Sequence, residues 1–248
     1  MKREDLPTLF AGIGGSTQAK AELRTSLERL ALALNGLDPW LTDNLITFGK
    51  NLSFLGDKAL TDAVIRHAQH EYDKAIIWRT HILTWAGKNA LKVDGDFVEC
   101  GTHWGYSVGV MCEYLRFADT GKHYWCYDLF EGAAYDLGGK SNETPLETVQ
   151  SRFSEMPYVK FIKGSVPKSF LQGAPSKVAF LHLDLNSADA ERGALEYLLP
   201  RMSKGAMVVL DDYGWSHYKA QKLVADEIFS AWGIPIAELP TGQGLAIV

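Results

Sequence analysis

Cysteine is scarce in this chain, with three in 248 residues: Cys100, Cys112 and Cys126. None stands at the Cys-x-x-Cys or Cys/His spacing of a zinc or dithiol site. The three are expected as small buried hydrophobes in a reducing compartment. Long apolar runs are missing as well. No window reaches the roughly eighteen apolar residues of a membrane span, and the opening "MKREDLPTLFAGIGGSTQAK" lacks the apolar core of a secretory leader. A cytoplasmic protein with no membrane partner is expected. There is no basic excess either: formal net charge is −5, which leaves no electrostatic reason to expect a nucleic-acid partner. No repeat or low-complexity tract appears, and 46% hydrophobic with 22% charged residues is the composition of a soluble globular protein. One glycine cluster, "GIGGST" at 12–17, invites a phosphate-loop reading, but no strand precedes it and no lysine follows. Residues 1–18 are expected to form a loose arm.

What is present begins with helical periodicity. Leu23, Leu27, Leu30 and Leu34 recur at helical spacing and make one apolar stripe. The stripe suits packing against the main domain; a contact between two copies is the alternative, so a homo-oligomer stays open. "DPWLTDN" breaks the pattern, and a second helical region follows over about Asp57–Ala90. It holds His67, His70 and His81. The first two stand three apart, as on one helix face, but no carboxylate pair completes a metal set, so solvated or core histidines are expected. The length suits one large core with an extension: residues 1–90 as N-terminal arm and helical extension, 91–248 as the main domain.

After Asp94-Gly95, short apolar runs alternate with helical stretches. The runs are "DFVEC" (96–100), "HYWCY" (123–127), "VKFIK" (159–163), "VAFLHL" (178–183) and "AMVVL" (206–210). Strands alternating with amphipathic segments such as Val108–Phe117 and Ala190–Leu199 predict an α/β fold, a mostly parallel Rossmann-like sheet covered on both faces. "IPIAEL", "PTGQ" and "GLAIV" close the chain as a hairpin, so at least one edge strand is antiparallel.

In such sheets ligands bind beyond the carboxyl ends of the strands, at the switch in strand order. The first run ends "FVECGTHWGYS": a strand closed by Glu99, then a loop opened by Gly101 and Gly105, then a helix entered near Ser107. The free N–H groups of that helix start point into the crevice. The spacing is Glu-x-Gly-x-x-x-Gly-x-Ser, not the Gly-x-Gly-x-x-Gly that brings a pyrophosphate to the backbone, because His103 and Trp104 occupy that region. A ligand with an amino-acid part suits this loop better, and S-adenosylmethionine is one. Glu99 would meet its ammonium and loop N–H groups its carboxylate. Asp128, closing the second run, would accept the ribose hydroxyls, and Gly164-Ser165 would lie along the adenine. A Rossmann-like scaffold with other contents is the competing account.

The fourth and fifth runs end in acids: Asp184, then Asp211-Asp212. Three carboxylates at adjacent strand ends repel unless something neutralises them, and a hard divalent cation such as Mg²⁺ does so. There it would orient a hydroxyl and lower its pKa. The plainer alternative has Asp211 capping the next helix and Asp212 facing solvent.

From about Trp78 to Val248 the chain resembles the macrocin and mycinamicin type of sugar O-methyltransferases, within the class I S-adenosylmethionine-dependent enzymes. The matching motifs are "GDFVECGTHWGYS", "YDLFEG", "FIKGS", "LLPRMSKGAMVVLDDYG" and "PTGQG". The resemblance implies a seven-stranded sheet with an antiparallel last strand, and methyl transfer to a hydroxyl of a small, sugar-containing acceptor. It implies cofactor contacts at Glu99, Gly101, Thr102, Gly105, Ser107, Asp128, Phe130, Gly164, Ser165 and Asp184, and Mg²⁺ held by Asp184, Asp211 and Asp212. One departure matters. The family carries Asp-x-Asp where this chain has Asp184-Leu185-Asn186, and an amide cannot take a proton at neutral pH. His182 shares the strand face of Asp184 and His217 follows "DDYGWS"; with Asp184 these are the catalytic candidates, and Asp189 and His103 are further ones. Ser187 stands where catechol-type enzymes place a lysine, which weakens a catechol acceptor. Residues 133–147, polar and glycine-containing, are expected as a lid over the acceptor. An NAD(P)-linked oxidoreductase and a catalytically silent cofactor-binding protein are the rival functions.

Overall fold

The computed structural model of the protein describes residues 1, 5–7, 16–34, 36–37, 39–131 and 146–248. Nearly all of the expected lid, and most of "GIGGST", lie outside the described residues. The chain divides into two units, Met1–His81 and Ile82–Val248.

The first unit opens with α1 (Thr17–Ala33), started by Ser16, whose hydroxyl accepts from the Ala19 N–H. Its leucine stripe is real: Leu27 is buried and Leu23, Leu30 and Leu34 half-buried. Where the helical pattern breaks, β1 (Trp40–Thr42) and β2 (Leu45–Thr47) form a small antiparallel hairpin. Its turn residues Asp43 and Asn44 both take positive φ, 54° and 52°, as a two-residue hairpin turn requires. Helices α2 (Lys58–His67), α3 (Glu71–Ala75) and α4 (Ile77–Ala90) follow, and the division between the units falls within α4. His67 and His70 do not share a helix face, because His67 ends α2 and His70 precedes α3. His81 stacks on Phe54 at 4.8 Å, and burial lowers its pKa. Among the described residues no helix is long and apolar enough to cross a membrane.

The second unit is an α/β sandwich. Its strands are β3 (Asp96–Cys100), β4 (Tyr124–Asp128), β5 (Val159–Lys163), β6 (Val178–Leu183), β7 (Met202–Leu210), β8 (Ile236–Glu238) and β9 (Gly244–Ile247). They form one seven-stranded sheet in the order β5-β4-β3-β6-β7-β9-β8. The pairs from β5 to β7 are parallel, and β9 runs antiparallel to both neighbours. The expected fold class is thus present, its antiparallel strand being the last in sequence.

Alternation along each strand feeds two cores. Val98, Leu181 and Val208 pack on one face with Leu195, Leu198 and Phe229, from α7 (Ala188–Leu198) and α8 (Lys219–Ala231). Phe97, Phe180 and Val209 pack on the other with Val108 and Met111, from α5 (Tyr106–Tyr114). Every residue of β6 is buried, as a central parallel strand covered on both sides requires. The three cysteines are free and buried. The chain leaves β3 for β4 and β5 on one side and returns to β6 on the other, so the switch in strand order lies between β3 and β6.

Between α7 and α8 sits an unusual carboxyl. Glu191 is buried, accepts from Gln221 Nε2 at 3.1 Å, and burial pushes its pKa up to about 7. The folded chain therefore holds a proton there that the unfolded chain releases near pH 4.5, so stability falls as pH rises from about 4.5 to 7 and stays low above. Glu191→Gln should raise the unfolding free energy at pH 8 by up to about 3 kcal/mol. The gain should vanish near pH 4, as read from urea denaturation at both pH values.

Candidate active site

The loop after β3 is built by close backbone contact. Gly101 has φ +93°, and a Cβ there would lie 1.9 Å from the Asp184 carbonyl oxygen. Only glycine lets the ends of β3 and β6 meet this closely. Gly105, at φ +76°, precedes α5, and a Cβ on it would strike the Phe153 ring at 2.7 Å. Arg152, at the end of α6 (Leu146–Arg152), donates to the Trp104 carbonyl.

Asp128 governs the rest of the loop. Its Oδ2 accepts from the His103 N–H and its Oδ1 from the Phe130 N–H, both at 2.8 Å. Both donors are non-glycine residues at φ 47°, a left-handed conformation costing roughly 1–2 kcal/mol each. One carboxylate thus holds two disfavoured turns, one after β3 and one after β4. Gly164 follows β5 and gives its N–H to the Asp128 carbonyl at 2.9 Å, while Ser165 is exposed beyond it.

Beneath the loop runs a buried polar chain. Glu99 is fully buried; its Oε1 accepts from the Ser107 hydroxyl at 2.7 Å, and its Oε2 meets Tyr124 at 3.3 Å and His182 Nδ1 at 2.9 Å. Glu99 and His182 are paired residues of β3 and β6, so sheet register sets them side by side. His182 Nε2 faces Asp211 Oδ1 at 3.8 Å, too long for a hydrogen bond. Burial alone would push the His182 pKa down, but Asp211 and Glu99 together raise it to about 10. The side chains of Glu99 and Ser107 point into this network, and Thr102 is buried beside it.

At the strand ends the acids converge. Asp184 N–H bonds the Cys100 carbonyl and Asp211 N–H the Leu183 carbonyl, both at 2.9 Å, continuing the parallel ladder past β3, β6 and β7. That brings carboxylate oxygens of Asp184, Asp211 and Asp212 within 4.8 Å of one another, all half-buried. Three hard oxygen donors this close fit a divalent cation. Asp211 caps no helix: a 3-10 turn at Ser216–Tyr218 and then α8 start well beyond it. Ser187 caps α7, its hydroxyl accepting from the Ala190 N–H at 3.3 Å. Asn186, Asp189, His103 and His217 are exposed, the last on the 3-10 turn.

The sequence reading missed Tyr124, Arg152, Thr241 and Gln243. Gln243 precedes β9, is buried, and donates from Nε2 to Asp211 Oδ1 at 3.0 Å. Its motif "PTGQG" was in view, but nothing local says which acid it reaches.

A sheet of this order with β9 reversed, a glycine loop at its switch point and acids at or just past four strand ends defines the class I methyltransferase fold. Residues 98–213 match the family described as a methyltransferase domain. Over 142 residues the chain is 34% identical to the 8-demethyl-8-(2,3-dimethoxy-alpha-L-rhamnosyl)-tetracenomycin-C 4'-O-methyltransferase of Streptomyces olivaceus, covering 49% of this chain and 54% of that protein. The chain thus spans about half the length of the curated relative it matches. Two solved structures share the fold. The O-methyltransferase NovP aligns at TM-score 0.60 and 20% identity over 69% of this chain and 79% of its own. The calicheamicin methyltransferase CalS11 aligns at TM-score 0.57 and 14% identity over 96% and 99%. The resemblance to sugar O-methyltransferases read from the motifs therefore holds.

If Asp128 sustains both left-handed turns, Asp128→Ala should lower the unfolding free energy by about 1–3 kcal/mol in urea. Asp128→Asn, which keeps one acceptor oxygen of two, should fall between.

Proposed function

We propose that the protein transfers the methyl group of S-adenosylmethionine to a hydroxyl of a small, sugar-containing acceptor, assisted by Mg²⁺. The observation that carries this reading is the placement of Asp128, the Gly101–Gly105 loop and the Asp184, Asp211 and Asp212 carboxylates along the carboxyl ends of four adjacent strands. The named activity of the Streptomyces olivaceus relative, a 4'-O-methyltransferase on a rhamnosyl compound, supports the acceptor class.

Bound there, S-adenosylmethionine supplies an already activated methyl carbon, and Mg²⁺ a Lewis acid for a hydroxyl. The chain's own contribution is alignment. Each Asp128 oxygen spends one lone pair on a backbone N–H and keeps another for a ribose hydroxyl. Gly101, Thr102 and Gly105 present backbone to the methionine end, with Glu99 and Ser107 fixing that loop from below. Phe130, Gly164 and Ser165 border the adenosine end. Asp184, Asp211 and Asp212 would hold the cation, which would supply Lewis acidity toward the acceptor hydroxyl. Asn186 accepts no proton, so His217, exposed on its turn, is the proposed proton acceptor.

Isothermal titration should show S-adenosylhomocysteine binding and no NADH binding. With S-adenosylmethionine and a panel of glycosides and phenols, mass spectrometry should show one added methyl on a glycoside hydroxyl. EDTA should lower kcat/KM by on the order of tenfold or more. Binding of NADH instead, or methylation indifferent to EDTA, would overturn the donor and the cation assignments respectively.

A further inference from the structure

The turn before β9 is built to present one side chain. Leu239 N–H bonds the Gln243 carbonyl at 2.8 Å, Gly242 N–H bonds the Leu239 carbonyl at 2.9 Å, and Gly214, in the loop after β7, donates to the Gly242 carbonyl at 2.7 Å. Gly242 takes φ +85°, and a Cβ on it would lie 2.2 Å from Trp215 Nε1. Within this turn Thr241 is 4% exposed and Gln243 1%. The Thr241 hydroxyl donates to Gln243 Oε1 at 3.1 Å, which leaves the Gln243 NH₂ facing Asp211 Oδ1 at 3.0 Å. A hydroxyl can turn its proton toward the amide oxygen, so the threonine selects which end of the amide the acid meets.

The same oxygen of Asp211 is approached from the other side by His182 Nε2 at 3.8 Å, and that nitrogen has no hydrogen-bond partner although His182 is 4% exposed. His182 Nδ1 is held by Glu99, and Glu99 by Ser107 and Tyr124. Polar side chains thus run from the start of α5, under the glycine loop, across β3 and β6 to His182, and after a 3.8 Å gap from Asp211 to the turn before β9. A carboxylate rotates easily about its last bond. Among three acids this close, repulsion drives it to turn away unless donors hold it.

We propose that Gln243, set by Thr241, and His182 are positioning residues that lock the rotation of Asp211 toward the divalent cation, and that His182 carries this restraint to Glu99 beneath the donor loop. This rests on reading the acid cluster as a cation site.

The test is isothermal titration of the full chain with MgCl₂, without acceptor, and separately with S-adenosylhomocysteine in EDTA. Thr241→Val keeps shape but loses the hydroxyl, Gln243→Leu loses the donor, and Thr241→Ser keeps the hydroxyl. Thr241→Val and Gln243→Leu should weaken Mg²⁺ binding by about 10–100-fold while S-adenosylhomocysteine affinity stays within about threefold, which also shows that they fold. Thr241→Ser should bind Mg²⁺ within about threefold of the parent chain. His182→Gln, whose amide reaches only one of the two acids, should weaken both ligands. Thr241→Val and Gln243→Leu binding Mg²⁺ like the parent, or Thr241→Ser failing like Thr241→Val, overturns the positioning role of the turn and leaves the cation site standing. His182→Gln changing neither affinity overturns the role of His182. A parent chain that binds S-adenosylhomocysteine but no Mg²⁺ overturns this inference and the cation reading together.

Discussion

The site depends on one electrostatic arrangement: two acids, from the strands on either side of β6, face the same buried imidazole. Glu99 is fully buried and His182 nearly so, and a buried carboxylate without a partner is far costlier than the neutral acid. The His182 imidazole partners Glu99 directly at 2.9 Å and lies 3.8 Å from Asp211. Because β3, β6 and β7 are adjacent and parallel, satisfying the two acids also aligns the loop after β3 with the acids after β6 and β7. Charge compensation and site geometry are the same contact.

Backbone proximity does the complementary work. The 1.9 Å that would separate a Gly101 Cβ from the Asp184 carbonyl shows how tightly the glycine loop lies against the backbone of the first acid of the cluster. Asp128 then fixes the outer side of that loop by satisfying the N–H groups of His103 and Phe130 in strained turns. The loop is held from beneath by Glu99, at its flank by Asp128 and from above by Phe153 against Gly105. Rigidity of this kind is what an alignment-driven reaction needs, since a misplacement of about 1 Å can cost two orders of magnitude in rate.

Much of the fold was legible because buried strands announce themselves locally. "DFVEC", "VKFIK" and "VAFLHL" coincide with β3, β5 and β6, and "HYWCY" is one residue out of step with β4. β7 starts at Met202, earlier than "AMVVL", because Ser203, Lys204 and Gly205 hide its first half and Gly205 takes φ +85°. The β1–β2 hairpin escaped notice because three-residue strands carry no period to read, and Asp43-Asn44 lacks the glycine of the strongest hairpin signal. The acid cluster was legible as residue types at strand ends, since parallel strands place their carboxyl ends together. The polar chain beneath it was not. Glu99 and His182 are 83 residues apart, and alternation says only that each shares a face with its own strand neighbours. Pairing across strands requires register, which tertiary packing decides. Likewise Gln243 stands in a recognisable turn, but its partner Asp211 follows β7, 32 residues earlier in the chain.

Asn186 is where these threads meet. Placing an amide beside Asp184 removes one negative charge from the neighbourhood of the cluster, which reduces repulsion among Asp184, Asp211 and Asp212 but also the attraction any cation feels. A site with fewer charges must obtain its affinity from ligands already turned to the right angle, because reorienting them on binding would consume what little attraction remains. Gln243, which donates to Asp211 Oδ1, is itself held by Thr241, and both are shielded from water in the protein interior as His182 is. On the proposed reading of the acid cluster as a cation site, the amide at Asn186 and the buried donor set of Asp211 would belong to one electrostatic balance.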